Sequence, residues 1–194
     1  MYHIRNDKRS VQSAELIYQC VLDLMKTKSY DQISVTDIQK SCGLARTTFY
    51  RCFDNLSDVF FWKCDEAFHA VFSSYQQPFF RGEFDLARHF VNYWITHYGI
   101  LEALMKINHL DIIFTCYMRN AKILEERYGP LPNQPKKHEA YYLSVRTGFM
   151  LSILIAWLNG GRKENADEII EIIGEQFAML KDDIEAQNAG GEMQ

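Results

Sequence analysis

The sequence predicts an all-α protein of about nine helices, on three observations. Apolar residues recur at i, i+3, i+4 and i+7 along most of the chain. No stretch of useful length alternates apolar and polar residues with period two. Only 4 Pro and 10 Gly punctuate 194 residues, so long helices are easily placed. Two units are expected: an N-terminal helix-turn-helix over 1–54 and a C-terminal helical domain over 55–188, with a flexible tail at 189–194.

Each element has its own signal. Ala14, Ile17, Tyr18, Val21, Leu22 and Met25 form one apolar face of a helix over 11–28, with Ser10 as its N-cap. Ser34-Val35-Thr36-Asp37 has capping-box form and opens a short helix to about Ser41. Gly43 closes that helix, because a left-handed position costs glycine nothing. A third short helix spans about 45–53, and Asn55 with Asp58 opens a long one that Pro78 stops by about Gln77. Helical segments follow near 84–98, 100–107 and 109–128, separated at Gly82, Gly99 and Asn108-His109. The run Gly129-Pro130-Leu131-Pro132-Asn133-Gln134-Pro135 reads as a loop. Two strongly apolar helices, about 137–159 and 165–185, meet at Gly160-Gly161.

Composition narrows the function. Residues 1–63 carry nine Lys/Arg against seven Asp/Glu, while residues 64–194 carry twelve against eighteen. A mildly basic head on an acidic body suits site-specific DNA contact better than bulk phosphate binding. No run of about 18 consecutive apolar residues marks a membrane span. The start, MYHIRNDKRSVQSAEL, lacks the apolar stretch of a signal peptide, so a cytoplasmic location is expected. Cys20, Cys42, Cys52, Cys64 and Cys116 never take C-x-x-C spacing and read as small buried hydrophobes. Glu66 and His69 make a single E-x-x-H pair, whereas a di-iron bundle needs two such pairs and two more carboxylates. His138-Glu139 lacks the second histidine of a zinc-protease helix. With no G-x-S-x-G and no phosphate-cradling glycine loop, we expect no catalytic residues, no metal, no cofactor and no enzyme activity.

Residues 34–53 carry the chemistry. At ~100° per residue, Arg46, Thr47, Tyr50 and Arg51 share one arc of the third helix, and Phe49 and Phe53 lie opposite with Ala45 and Cys52. One face is fit to reach bases and phosphates, the other to pack, which is what a helix in the major groove requires. Arg46 suits a guanine O6/N7 pair, worth ~1–3 kcal/mol of discrimination, and the Thr47 methyl suits a thymine methyl. Thr48 and the Tyr50 hydroxyl suit phosphate oxygens, which fix register without reading sequence. Ser34 and Thr36 stand at a helix N-terminus, where N–H groups and the dipole favour a phosphate.

The run ISVTDIQKSCGLARTTFYRCFDNLSDVF resembles the DNA-binding domain of the TetR family of transcriptional regulators. Ile38, Gly43, Leu44, Arg46, Thr48, Phe49, Tyr50 and Phe53 stand in its patterned places, over a match spanning about residues 8–64. The stretch GFMLSILIAWLNGGRKENADEIIEII is similar to the end of the C-terminal domain in a Firmicutes-type subgroup. The sequence departs from the family at Ala45, often a capping Ser, at Thr47, often Gly, and at Leu56, often a phosphate-binding Lys. Those departures put affinity, more than fold, in question.

The resemblance implies a homodimer built from the last two helices, bound to a palindromic operator in double-stranded DNA. Phe149, Ile153, Trp157, Ile169, Ile170, Ile173 and Phe177 are the interface candidates. Their broad apolar faces support this from the residues alone, though the same faces would also complete a monomer's core. It further implies a small-molecule inducer. Phe68, Phe72, Phe90, Tyr93, Trp94, His97, Phe114, Tyr117 and Met118 would line its pocket, or else serve as ordinary core. The expected function is a dimeric repressor released by a small apolar or aromatic ligand. The alternative is a helix-turn-helix co-regulator controlled by a partner protein.

Overall fold

The computed structural model describes residues 1–5, 7–75, 83–128 and 136–191. The protein is all-α, and among the described residues it has nine α-helices and no strand. The expected stop at Gln77-Pro78, the break at Gly82 and the proline-rich loop at 129–135 lie outside the described residues.

Helix α1 (Lys8–Leu24) begins two residues before its expected cap. Asp7 takes that role, its carboxylate accepting from the Ser10 backbone N–H at 2.8 Å. Helix α2 (Val35–Cys42) opens on the capping box: the Ser34 hydroxyl accepts from Asp37 N–H, and the Asp37 carboxylate accepts from Ser34 N–H. It closes on Gly43 at φ 67°, a left-handed turn where a Cβ would be strained. Helix α3 (Arg46–Cys52) follows directly. These three helices pack on one another as a small head.

Helix α4 (Ser57–Ser74) leaves the head and becomes the spine of the molecule. Asn55 Oδ1 accepts from Asp58 N–H at 3.1 Å, and the Asp58 carboxylate returns the bond from Asn55 N–H at 3.2 Å. Near its start, Phe60 meets Tyr18 and Tyr30 of the head at 6.0 and 5.9 Å. Two turns later Phe68 meets Trp94 of the body at 5.3 Å. One apolar cluster therefore runs unbroken from head to body. Lys63 Nζ to Glu15 at 2.6 Å and Lys106 Nζ to the Met25 carbonyl at 2.8 Å add polar ties across the junction.

The body is built from α5 (Glu83–Thr96), α6 (Gly99–Lys106) and α7 (Leu110–Tyr128), with α8 (Glu139–Asn159) and α9 (Ala166–Gly191) as an outer layer. Helix α4 packs on α7, α7 on α8, and α5 on both α8 and α9. Trp157 Nε1 donates to the Glu164 carbonyl at 2.9 Å and closes the α8–α9 turn. Helix α9 runs on to Gly191, through residues 189–191 that the sequence reading assigned to a tail. By length and mean hydropathy α8 is long and apolar enough to cross a membrane. It turns Thr147, Met150, Leu154 and Trp157 inward and leaves Tyr141 and Val145 outside, exposed at 75% and 71%.

Candidate nucleic-acid interface

The site is the second half of the head. Phe49, Cys52 and Phe53 are buried against the rest of it, and that burial forces the opposite arc outward. Arg46, Thr47, Tyr50 and Arg51 are exposed on that arc, and Thr48 is half-buried beside them. Phe49 meets Tyr50 edge-on at 5.5 Å and Phe53 at a tilt at 5.9 Å, so the outer tyrosine is braced from below.

Two expected contact residues are already engaged in the protein. Arg46 lies along Tyr50, donating to its hydroxyl at 3.3 Å with the guanidinium 5.5 Å from the ring centre. The cation–π contact holds the exposed arginine's stem, and a guanidinium has four N–H donors besides the one bonded to Tyr50. Ser34 is different. Its hydroxyl donates to the Asp37 carboxylate at 2.7 Å, and Asp37 in turn accepts from Lys28 Nζ at 2.7 Å. The Lys28 ammonium, then the Ser34 bonds, hold the Asp37 carboxyl well below the usual carboxylate range. A carboxylate therefore sits at the α2 N-terminus where the sequence reading put a phosphate, and Ser34 serves as its cap; Thr36 beside it is exposed.

The α3 N-terminus carries no side-chain cap, since Ala45 offers no acceptor. Leu56 is half-buried and packs against the core. Arg5, Lys8 and Arg9, which are not among the expected contact residues, are all exposed. Helix α1 packs on α3, and the segment just before α1 is bonded to the end of α3, His3 N–H donating to the Cys52 carbonyl at 2.8 Å. The cationic run ahead of Val11, the first apolar residue of α1, was the available signal. Near the turn, burial first and then a hydrogen bond with Cys20 push the Cys42 thiol up to about 12, which makes it a poor nucleophile.

In the body, the nine pocket candidates fall into two groups. Phe68, Phe90, Trp94 and Tyr117 pack ring against ring at 5.3–6.0 Å, and Phe72 stacks on Phe68 at 6.1 Å. These side chains fill one another's space. Clefts of about 500 and 590 Å3 lie elsewhere, one beside Tyr75, Arg88, His89 and Asp167, the other beside Lys28, Tyr30 and Lys106. Tyr93 and His97 stack at 4.3 Å towards the surface, Phe114 is half-buried, and Met118 accepts from the Thr147 hydroxyl. Inside the cluster the Trp94 indole N–H is fully buried with no acceptor among the described residues. Leaving a donor so costs ~1–3 kcal/mol.

Of the interface candidates, Trp157, Ile169, Ile170 and Ile173 are buried within the single chain and belong to its own core. Phe149 and Ile153 are half-buried, and Phe149 meets Phe177 at 5.2 Å near the surface. The outer apolar face is carried by Phe177 of those candidates, 50% exposed, together with Tyr141, Val145, Ile172, Met179 and Leu180, which helical periodicity alone does not separate from the inner one.

No family model matches the chain. It is 37% identical over 57 residues to the HTH-type dhaKLM operon transcriptional activator DhaS of Lactococcus lactis subsp. lactis (strain IL1403), a match covering 29% of this chain and 30% of that one. In fold it is similar to Lin0861 from Listeria innocua, with a TM-score of 0.78 at 14% identity, covering 92% of this chain and 98% of the other.

Proposed function

We propose that this protein is a sequence-specific DNA-binding transcriptional regulator of the TetR type, acting as a homodimer on a palindromic operator. The outward arc of Arg46, Thr47, Tyr50 and Arg51, backed by buried Phe49 and Phe53, is the observation that carries this reading. Its shape is that of a helix offered to the major groove. The likeness to a helix-turn-helix transcriptional activator supports it. Arg46 reads a base, Tyr50 and Thr48 meet phosphates, and Lys8 and Arg9 extend the phosphate contacts past the end of α3.

The dimer forms through α8 and α9, whose outer face retains Tyr141, Val145, Ile172, Met179 and Leu180 after the core is complete. Regulation comes from a small apolar or aromatic ligand at the Phe68–Phe90–Trp94–Tyr117 cluster, with an acceptor for the Trp94 N–H. That cluster must open to admit it, a rearrangement of the kind by which a ligand selects one spacing of two reading heads. As first read, the ligand releases a repressor.

A second reading has two observations in its favour. Leu56 packs inward where a phosphate-binding cation is common, and the curated relative is named as an activator. Here the protein activates, and a partner protein rather than a small molecule controls it.

The test is a gel shift on duplex DNA from upstream of the protein's own gene, at low and moderate salt. Wild type should bind as a dimer, and Arg46→Ala should relax preference at one position per half-site. Equal loss on every sequence would remove the base-reading role of Arg46. No shift at either salt would remove DNA binding itself.

A further inference from the structure

A buried carboxylate outside the DNA-facing surface ties the body to the recognition helix. Asp65, on α4, is 3% exposed. Its Oδ2 accepts from the Tyr2 hydroxyl at 2.7 Å and from the Arg119 guanidinium, and its Oδ1 accepts from Asn120 Nδ2 at 2.8 Å. Burial alone would raise this carboxyl, but the bonds from Arg119, Tyr2 and Asn120 outweigh it and hold it down. An ion so placed is destabilising unless every partner is present, so the cluster tolerates little displacement of any one of them.

The partners come from two separate places, neither of them α4. Arg119 and Asn120 lie on α7, two and three residues after Tyr117 of the aromatic cluster. Tyr2 lies on the N-terminal segment, which pairs antiparallel with Phe53. His3 N–H donates to the Cys52 carbonyl at 2.8 Å, and His3 Nε2 meets Asp54 Oδ1 at 2.9 Å. Cys52 and Phe53 are the end of the recognition helix. That helix has seven residues and no side-chain cap, too short to hold itself, so its seating is set by whatever grips it.

We propose that Tyr2, Asp65 and Arg119 are positioning residues: through them α7 sets the seating of α3, with the N-terminal segment as the strap. The inference rests on the DNA-binding reading above, and it names the route by which a change at the aromatic cluster reaches the reading surface. A shift of α7 withdraws Arg119 and Asn120 from Asp65, leaves that buried carboxylate short of partners so that it no longer fixes the Tyr2 hydroxyl, and loosens the strap from Cys52 and Phe53.

The experiment uses the full chain as wild type, Tyr2→Phe, Arg119→Gln, Arg119→Lys and the Tyr2→Phe/Arg119→Gln double variant. Amide hydrogen exchange at residues 46–53, without DNA, is compared with exchange in α9, and affinity for the upstream duplex is measured alongside. Tyr2→Phe and Arg119→Gln should each speed α3 exchange by about three- to tenfold over α9 and weaken the duplex by a similar factor. The double variant should exceed neither single, because both cut one link, and Arg119→Lys, which keeps the charge beside Asp65, should stay near wild type. Unchanged α3 exchange in Arg119→Gln, equal acceleration of every helix, or a double effect equal to the product of the singles each overturns the proposal. If the wild type binds no duplex, the functional reading fails while the exchange data still decide the coupling.

Discussion

The head and the outer layer of the body are finished to different degrees. In the head, almost every helix end finds a partner: Asp7 caps α1, Ser34 and Asp37 cap α2 reciprocally, and Gly43 turns the corner. Its aromatic residues, apart from Tyr50, are tucked against one another or against α4. In the outer layer, α8 and α9 complete the core and still carry an apolar surplus outside, while one layer further in the Trp94 N–H finds no acceptor among the described residues. The head is closed by local contacts except at the uncapped start of α3. On the reading proposed above, the surplus outer face is where a second copy would dock, and the Trp94 N–H further in is where a ligand would supply an acceptor.

The sharpest way to break this contrast is to remove bulk from each region. Phe53→Ala takes a fully buried ring from the head, and unfolding in urea should show a loss of about 3–5 kcal/mol. Val145→Glu alters only the outer face of α8. It should leave the urea midpoint of the isolated chain nearly unchanged and weaken self-association about tenfold or more, read by sedimentation velocity across a dilution series. If Val145→Glu unfolds the chain, or Phe53→Ala leaves it intact, the two regions are not distinct in the way described.

Acid probes the contrast from the side of charge. The Asp65 carboxyl is held below its ordinary value, so its contribution is full above the unfolded value near ~3.9 and fades as pH falls through the folded value. Its neighbours are Tyr2, Arg119 and Asn120, with the Cys64 and Cys116 thiols close by, and Arg119 stays charged throughout. The wild-type urea midpoint should hold from pH 7 to about 5 and drop below about 4, whereas Asp65→Asn should start lower and fall less steeply. Parallel curves for the two proteins would show that Asp65 takes no part in the acid loss.

How much of this was legible in the sequence follows the same division. The head was readable because its signals are local: S-x-x-D, a glycine after the last helical turn, and a two-sided short helix all act within a few residues. Even there, Ser10 lost the cap to Asp7, since periodicity marks the apolar face but not the polar residue that ends it. The body was readable as helices but not as surfaces. Ile169, Ile170 and Ile173 have the same chemistry as Ile172, and only the packing of α9 on α5 decides which of them is outside. The Tyr2–Asp65–Arg119 cluster left no signal at all, because its members are 63 and 54 residues apart and none is unusual in its own neighbourhood.

The smallest effects test whether the head's one gap is meaningful. Ser34→Ala removes half of the α2 capping box and should cost about 1 kcal/mol. Ala45→Ser makes the opposite change. Ala45 already has the extended backbone of a capping residue, φ −66° and ψ 143°, and its carbonyl accepts from Thr48 N–H at 2.8 Å, so only the side-chain acceptor is missing. A serine hydroxyl there would accept from the first turn of α3 without moving the backbone, and thermal unfolding should show a gain of about 0.5–1 kcal/mol. Duplex affinity separates the meanings of that gain. If the uncapped N–H groups of α3 wait for a phosphate, a serine that occupies them should raise stability and weaken DNA binding together. If the missing cap simply leaves α3 loosely held, both should rise, because a firmer helix loses less freedom on entering the groove.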